Sequence, residues 1–127
     1  MKTTIIINEQ HTLLPDQEKI LSEKFKTWDT LLVPASGWNK KKIEEIARNF
    51  VGNVVFISPI PYMIKITAMS AALNWSYEAC KGDYSYAPSG DSLINCCLVM
   101  CNDTRIKKEI PGGKIISVTA KTGWYLA

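Results

Sequence analysis

The sequence predicts an α/β domain, a mainly parallel sheet covered by helices on both faces, with a β-hairpin near the C-terminal end. Three observations lead there. First, near-continuous apolar runs recur at Thr3–Asn8, Thr30–Ala35, Asn53–Ser58 and Ser92–Cys101. Such runs, rich in β-branched residues, suit strands buried on both faces. Second, helical signals fill the gaps between them. The resulting order β-α-β-α-β-α-β implies parallel strands joined by crossover helices. Third, 127 residues with 46% apolar and 21% charged side chains make one globular domain, residues 1–127, able to close a core.

The elements follow in order. After the first strand, Asn8–Leu14 is a polar loop. Pro15 suits the first turn of a helix and Asp16 its positive end. Ile20, Leu21, Phe25 and Trp28 give that helix an apolar side. Past the second strand, Ser36-Gly37-Trp38-Asn39 is a loop in which Asn39 is the N-cap of the next helix. There Ile43, Ile46, Ala47 and Phe50 recur at helical spacing, the clearest amphipathic stripe in the chain. Gly52 is expected to end it. Ser58-Pro59-Ile60-Pro61 breaks the third strand and starts a third helix, from about Tyr62 to Lys81, whose Ala, Met and Ser content suits close packing. Gly82 to Asp91 reads as a loop carrying Tyr84, Tyr86 and Pro88, ahead of the fourth strand.

The remainder changes character. Arg105–Ile110 and Lys114–Thr119 flank Pro111-Gly112-Gly113, the pattern of a hairpin with a glycine turn. A short last strand is expected at Trp124–Leu126. The hairpin is expected to extend an edge or reach a partner; the alternative is an α+β arrangement in which the C-terminal strands form their own sheet.

Composition excludes several classes. No stretch reaches the roughly 18–20 apolar residues of a membrane span. Met1-Lys2-Thr3-Thr4-Ile5-Ile6-Ile7 is too short in its apolar part for a signal peptide. A cytoplasmic protein is the expectation. The net charge of +3 gives no argument for a coat on long nucleic acid. Cys80, Cys96, Cys97 and Cys101 contain no Cys-x-x-Cys pair and accompany a single histidine, so no zinc site and no other metal or cofactor is expected. Adjacent Cys96 and Cys97 point to opposite faces of a strand, and all four read as buried reduced thiols. Walker-type and Gly-x-Gly-x-x-Gly phosphate loops and the Gly-x-Ser-x-Gly elbow are also missing from the sequence.

Open parallel sheets bind ligands beyond the carboxyl ends of their strands. Those ends supply Asn8, Gln10, His11 and Thr12; Ser36, Gly37, Trp38 and Asn39; Ser58 and Pro59; and Asn102, Asp103, Thr104 and Arg105. Trp28-Asp29, Gly52 and the Tyr84/Tyr86 loop fall at the opposite edge. Lys40, Lys41 and Lys42 occupy the first turn of the second helix, where cations oppose the helix dipole at roughly 0.3–1 kcal/mol each. An anion bound there would offset that cost. Arg105, Lys107 and Lys108 follow the fourth strand at the same end. The competing account is a solvated lysine face with no ligand. Histidine is the side-chain type suited to acid–base work near neutral pH, and His11 is either structural or the acid–base group of a site.

The segment Asn8-Glu9-Gln10-His11-Thr12-Leu13-Leu14-Pro15-Asp16-Gln17 resembles the opening of small CRISPR-associated ring nucleases, where the first strand ends in Asn-x-x-His-x-Leu-x-x-x-Gln. Asn8, His11, Leu13 and Gln17 match, over about ten residues; the rest agrees in its α/β layout. The resemblance implies a Rossmann-like fold related to the CARF domain. It also implies a homodimer that binds cyclic oligoadenylate, the messenger of type III CRISPR immunity, and cleaves it without metal. A ribose 2′-hydroxyl would attack the adjacent phosphate in line and leave a 2′,3′-cyclic phosphate. His11 would serve as general acid or base, and Lys41, Lys42 or Arg105 would stabilise the phosphorane. Ser36, Ser58 and Asn102 would orient ribose and phosphate. Only Asn8, His11 and Gln17 carry over from the pattern; the other roles rest on strand-end position. Two further hypotheses stand beside this one. One is a nucleotide sensor or sponge without catalysis. The other is a protein-interaction domain using the hairpin, Trp124 and Tyr125.

Overall fold

A computed structural model describes residues 1–79, 93–103, 105–109, 111–119 and 122–127; for 73–79, 93, 105–108 and 115–119 it describes the backbone. Cys80, the Tyr84/Tyr86 loop, Thr104 and the end of the third helix at Lys81 lie outside the described residues. The elements run β1 (Thr3–Asn8), α1 (Pro15–Lys24), β2 (Asp29–Val33), α2 (Lys40–Arg48), β3 (Val51–Phe56), α3 (Pro61–Ala79), β4 (Leu93–Asn102), β5 (Arg105–Glu109), β6 (Ile115–Thr119) and β7 (Trp124–Leu126).

Five strands form one sheet in the order β2-β1-β3-β4-β7. The first four are parallel, and β7 joins the edge antiparallel to β4. The fold is therefore α/β with a mostly parallel sheet and three helices. β5 and β6 pair antiparallel in a separate two-stranded sheet. The C-terminal strands are thus divided: β5 and β6 stand apart while β7 completes the main sheet.

Alternation along β1 splits the core in two. Ile6 faces Val33, Val54, Phe56, Ile43 and Met63 on the side covered by α2 and α3. Ile5 and Ile7 face Val55, Ile57, Met100 and Leu21 on the side covered by α1. Each of these residues is buried, and a fully buried Ile, Leu or Phe contributes about 1.5–3 kcal/mol from apolar area. The faces follow from topology. The step from β1 to β2 runs one way along the sheet, whereas those from β2 to β3 and from β3 to β4 run the other way. Right-handed crossovers then place α1 on one face and α2 with α3 on the other.

Gly52 does not end α2. That helix stops at Arg48 with Asn49 as its C-cap, and Gly52 lies buried within β3 at φ 74°. A β-carbon there would run into the carbonyl oxygen of Lys2, so glycine allows β3 to approach β1. The pairing of β3 with β4 shifts register between Gly52 and Asn53. Asn53 secures the irregularity: its Oδ1 accepts from Asn95 Nδ2 at 2.9 Å and Cys96 Sγ at 3.1 Å, and its Nδ2 donates to Thr3 Oγ1 at 3.2 Å. β3 accordingly starts two residues earlier than its apolar run, and Ile57–Ser58 fall just past its end.

No helix among the described residues is long and apolar enough to cross a membrane.

Candidate functional site

The site is built from the end of β1. The chain turns sharply after Asn8, whose Oδ1 accepts from Gln10 N–H at 2.9 Å while its carbonyl accepts from His11 N–H at 2.9 Å. This Asx-turn within a β-turn is the local conformation asparagine favours. Asn8 N–H donates to Ser58 Oγ at 2.9 Å, tying the ends of β1 and β3 together. Ile57 and Ser58 N–H both donate to the Ile6 carbonyl, at 2.8 and 3.0 Å.

The chain then enters α1. Gln17, only 4% exposed, accepts from Leu14 N–H through Oε1 at 3.0 Å and so closes the helix start from within. Pro15 stands at the first helical position, with Asp16 and Glu18 in the first turn and Lys24 in the last, each suited to the helix dipole. Leu13 packs against the core on the α1 side. Three residues of the Asn8–Gln17 pattern are therefore structural here: Asn8 makes the turn, Leu13 anchors it and Gln17 caps the helix. His11 is the fourth. Its side chain is exposed, with no hydrogen-bond partner among the described residues.

This loop borders a cleft of about 720 Å³ lined by Ile7, Asn8, Gln10, His11, Thr12, Leu14, Gln17, Ile57, Ser58, Pro59 and Trp124. The volume lies within the range of small-molecule sites, roughly 300–1,000 Å³. β1 and β3 are neighbours whose following helices depart to opposite faces, so their end loops diverge and leave a crevice between them. That is the topological switch point at which open α/β sheets bind ligands. Polar lining comes from the β1 turn and Ser58; the apolar lining comes from Ile7, Ile57, Leu14, Pro59 and Trp124.

Of the strand-end candidates, Asn8, Gln10, His11, Thr12, Gln17 and Ser58 line this cleft, and Ser36, Gly37, Trp38, Asn39, Lys41, Lys42, Asn102 and Asp103 do not. Gly37 makes a turn at φ 77° with its N–H on the Pro34 carbonyl at 2.7 Å. Trp38 packs against the core on the α2 side. Asn39 is the N-cap, its Oδ1 accepting from Lys42 N–H at 2.8 Å. Ser36, Lys41 and Lys42 are exposed. Lys40 pairs loosely with Glu44 at 4.0 Å and lies 5.9 Å from the centre of the Tyr62 ring. Tyr62 donates to Glu44 Oε1 at 2.7 Å, and this bond to a carboxylate raises its pKa.

Asn102 and Asp103 fasten the C-terminal segment. Asn102 Nδ2 donates to the Thr122 carbonyl at 2.8 Å, and Asp103 N–H to that of Gly123 at 3.1 Å. Arg105 opens β5, and its side chain lies outside the described residues, as do those of Lys107 and Lys108.

The residue that strand-end reasoning missed is Trp124. It reaches the cleft because β7 runs antiparallel to β4, with Trp124 opposite Asn102 at the carboxyl edge of the sheet. Trp124 and Leu126 both pack on the α1 side, a spacing visible as the alternation Trp-Tyr-Leu. What local sequence does not show is which strand β7 joins.

Against the expectation of buried thiols, Cys96, Cys97 and Cys101 on β4 are only half-buried. Burial, with Cys96 beside it, pushes the Cys97 thiol up to about 11. Burial also raises that of Cys96, against the lowering influence of Lys24. Among the described residues no three His, Cys, Asp or Glu side chains gather as a metal site. No protein-family model matches the chain, and no curated protein or solved structure is significantly similar to it.

Proposed function

We propose that the domain is a Rossmann-like nucleotide-binding protein that takes cyclic oligoadenylate into the cleft between the ends of β1 and β3, and that His11 takes part in cleaving it. The observation that carries this reading is the cleft at the switch point, with His11 displayed on a rigid turn among Asn8, Gln10, Thr12 and Ser58. The identity of the ligand rests on the Asn8–Gln17 resemblance. So do the CARF relationship, a homodimer and a role in ending CRISPR signalling in the cytoplasm.

The reaction needs little covalent help from the protein. A 2′-oxygen bonds to phosphorus as the P–O5′ bond breaks. One proton leaves the 2′-hydroxyl and one arrives at the departing 5′-oxygen. His11 can carry out one of these transfers, and water the other, with no metal required by the bookkeeping. Such a group contributes about 10²–10⁴-fold. Holding the 2′-oxygen in line supplies the rest through positioning. Among the described residues the lining contains no lysine or arginine, so Lys42 belongs to this reading only if a ligand larger than the cleft reaches it, and the Arg105 side chain lies outside the described residues.

The test is incubation of the protein with cyclic tetra- and hexa-adenylate in EDTA, followed by chromatography. Linear products ending in 2′,3′-cyclic phosphate are expected. Failure to bind or cleave either ring overturns the proposal. One observation favours a second reading, a sensor or sponge: among the described residues no second titratable side chain lines the cleft to orient or assist His11. Retention of intact rings would select it.

A further inference from the structure

We propose that Trp124 is the surface on which a planar nucleobase stacks, so that the C-terminal strand supplies the base subsite of the cleft. This rests on the reading of the cleft as a nucleotide site and names what holds the base.

The lining is divided by chemistry. The hydrogen-bonding groups of Asn8, Gln10, His11, Thr12 and Ser58 come from the ends of β1 and β3, where a ribose and phosphate find partners. Among the described residues Trp124 is the one aromatic of the lining. A ligand that satisfies both parts is polar at one end and flat at the other, as a nucleoside phosphate is. Every base offers a π-face, and an indole is a large, stiff platform for it.

The indole is also held in place. The chain turns at Gly123 with φ 81°, and Trp124 then pairs opposite Asn102. Beyond it, Ala127 exchanges two backbone hydrogen bonds with Val99, at 2.8 and 2.9 Å. Together with the Asn102–Thr122 and Asp103–Gly123 bonds, these bracket Trp124 on both sides. It is half-buried, supported by the α1-side core while also lining an open cleft. Asn102 is then a positioning residue rather than a ligand contact.

Calorimetric titration of the full chain with cyclic tetra-adenylate and adenosine 5′-monophosphate tests this. Trp124→Phe should hold affinity nearly unchanged, and Trp124→Leu, which keeps apolar bulk but removes the ring, should lose roughly 10–100-fold. Ribose 5-phosphate should bind far more weakly than adenosine 5′-monophosphate. Should the Leu variant fail to fold, the wild-type protein still decides. The Trp124 indole N–H resonance, assigned by its loss in Trp124→Phe, should shift on adding adenosine 5′-monophosphate. Nucleotide binding with an unmoved Trp124 resonance overturns the inference and leaves the cleft standing. Absence of any nucleotide binding overturns both.

Discussion

The end of β1 and the start of α2 lie at the same edge of the sheet, carry similar polar residues, and came out differently. The first borders a cleft. The second is a glycine turn, a capped helix and lysines directed into solvent. The difference comes from which way each strand's connection departs. β1 leads to α1, on the face where the cleft opens; β2 leads to α2, on the opposite face. A shared edge is therefore not enough to make a shared site. Side chains converge only where neighbouring strands send their loops apart, as β1 and β3 do.

The largest expected effect separates the two regions by activity. His11→Ala should lower cleavage of cyclic oligoadenylate by about 10²–10⁴-fold in single-turnover assays, whereas Lys42→Ala should leave it nearly unchanged. A reversed ranking would return the site to the helix terminus. Next comes Gly52→Ala, which forces a β-carbon onto the Lys2 carbonyl at a positive φ. It should destabilise by roughly 3 kcal/mol or more in urea unfolding. Gly37→Ala shares the positive φ but meets nothing within 4 Å, so about 1 kcal/mol is expected.

The two asparagines sharpen the comparison. Asn8→Ala removes a turn bond and Asn39→Ala a helix cap, each at about 1 kcal/mol. Only Asn8→Ala should also weaken ligand binding, measured by calorimetry. Lys41→Glu should stabilise by roughly 0.3–1 kcal/mol because an acid suits the first turn, raising the melting temperature without changing affinity. A loss of affinity there would instead support the helix terminus as an anion site.

The smallest effect concerns Cys97. Its pKa is raised in the fold, so it contributes stability that is complete below about pH 9 and lost as pH rises through about 11. Disulfide-reagent labelling at pH 8 should accordingly be slower for the folded chain than for the unfolded one.

The legible parts of the molecule are the local ones. The loop after β1 and the helix start at Pro15 are legible because polar runs and a first-turn proline act locally, whereas the Asn8 turn and the Gln17 cap emerge only in the structure. β1 and the Asn39 cap were likewise visible in place, since β-branched runs and N-caps act over short range. Gly52 misled because a glycine after an amphipathic stripe looks like a helix stop, while its actual reason, the approach of Lys2, lies fifty positions away in the chain. Trp124 was invisible as a site residue for the same cause: its place depends on β7 choosing β4. The convergence of the lysines was equally beyond local pattern, being set by the face to which α2 crosses.

The most direct test is a map of backbone amide shifts on adding cyclic tetra- or hexa-adenylate to the isotopically labelled protein in EDTA. The largest changes are predicted at Gln10, His11, Thr12 and Ser58, with the Trp124 indole moving alongside and Gly37–Lys42 nearly still. Changes concentrated at Gly37–Lys42 with the cleft amides unmoved, or no change with either ring, would contradict the account.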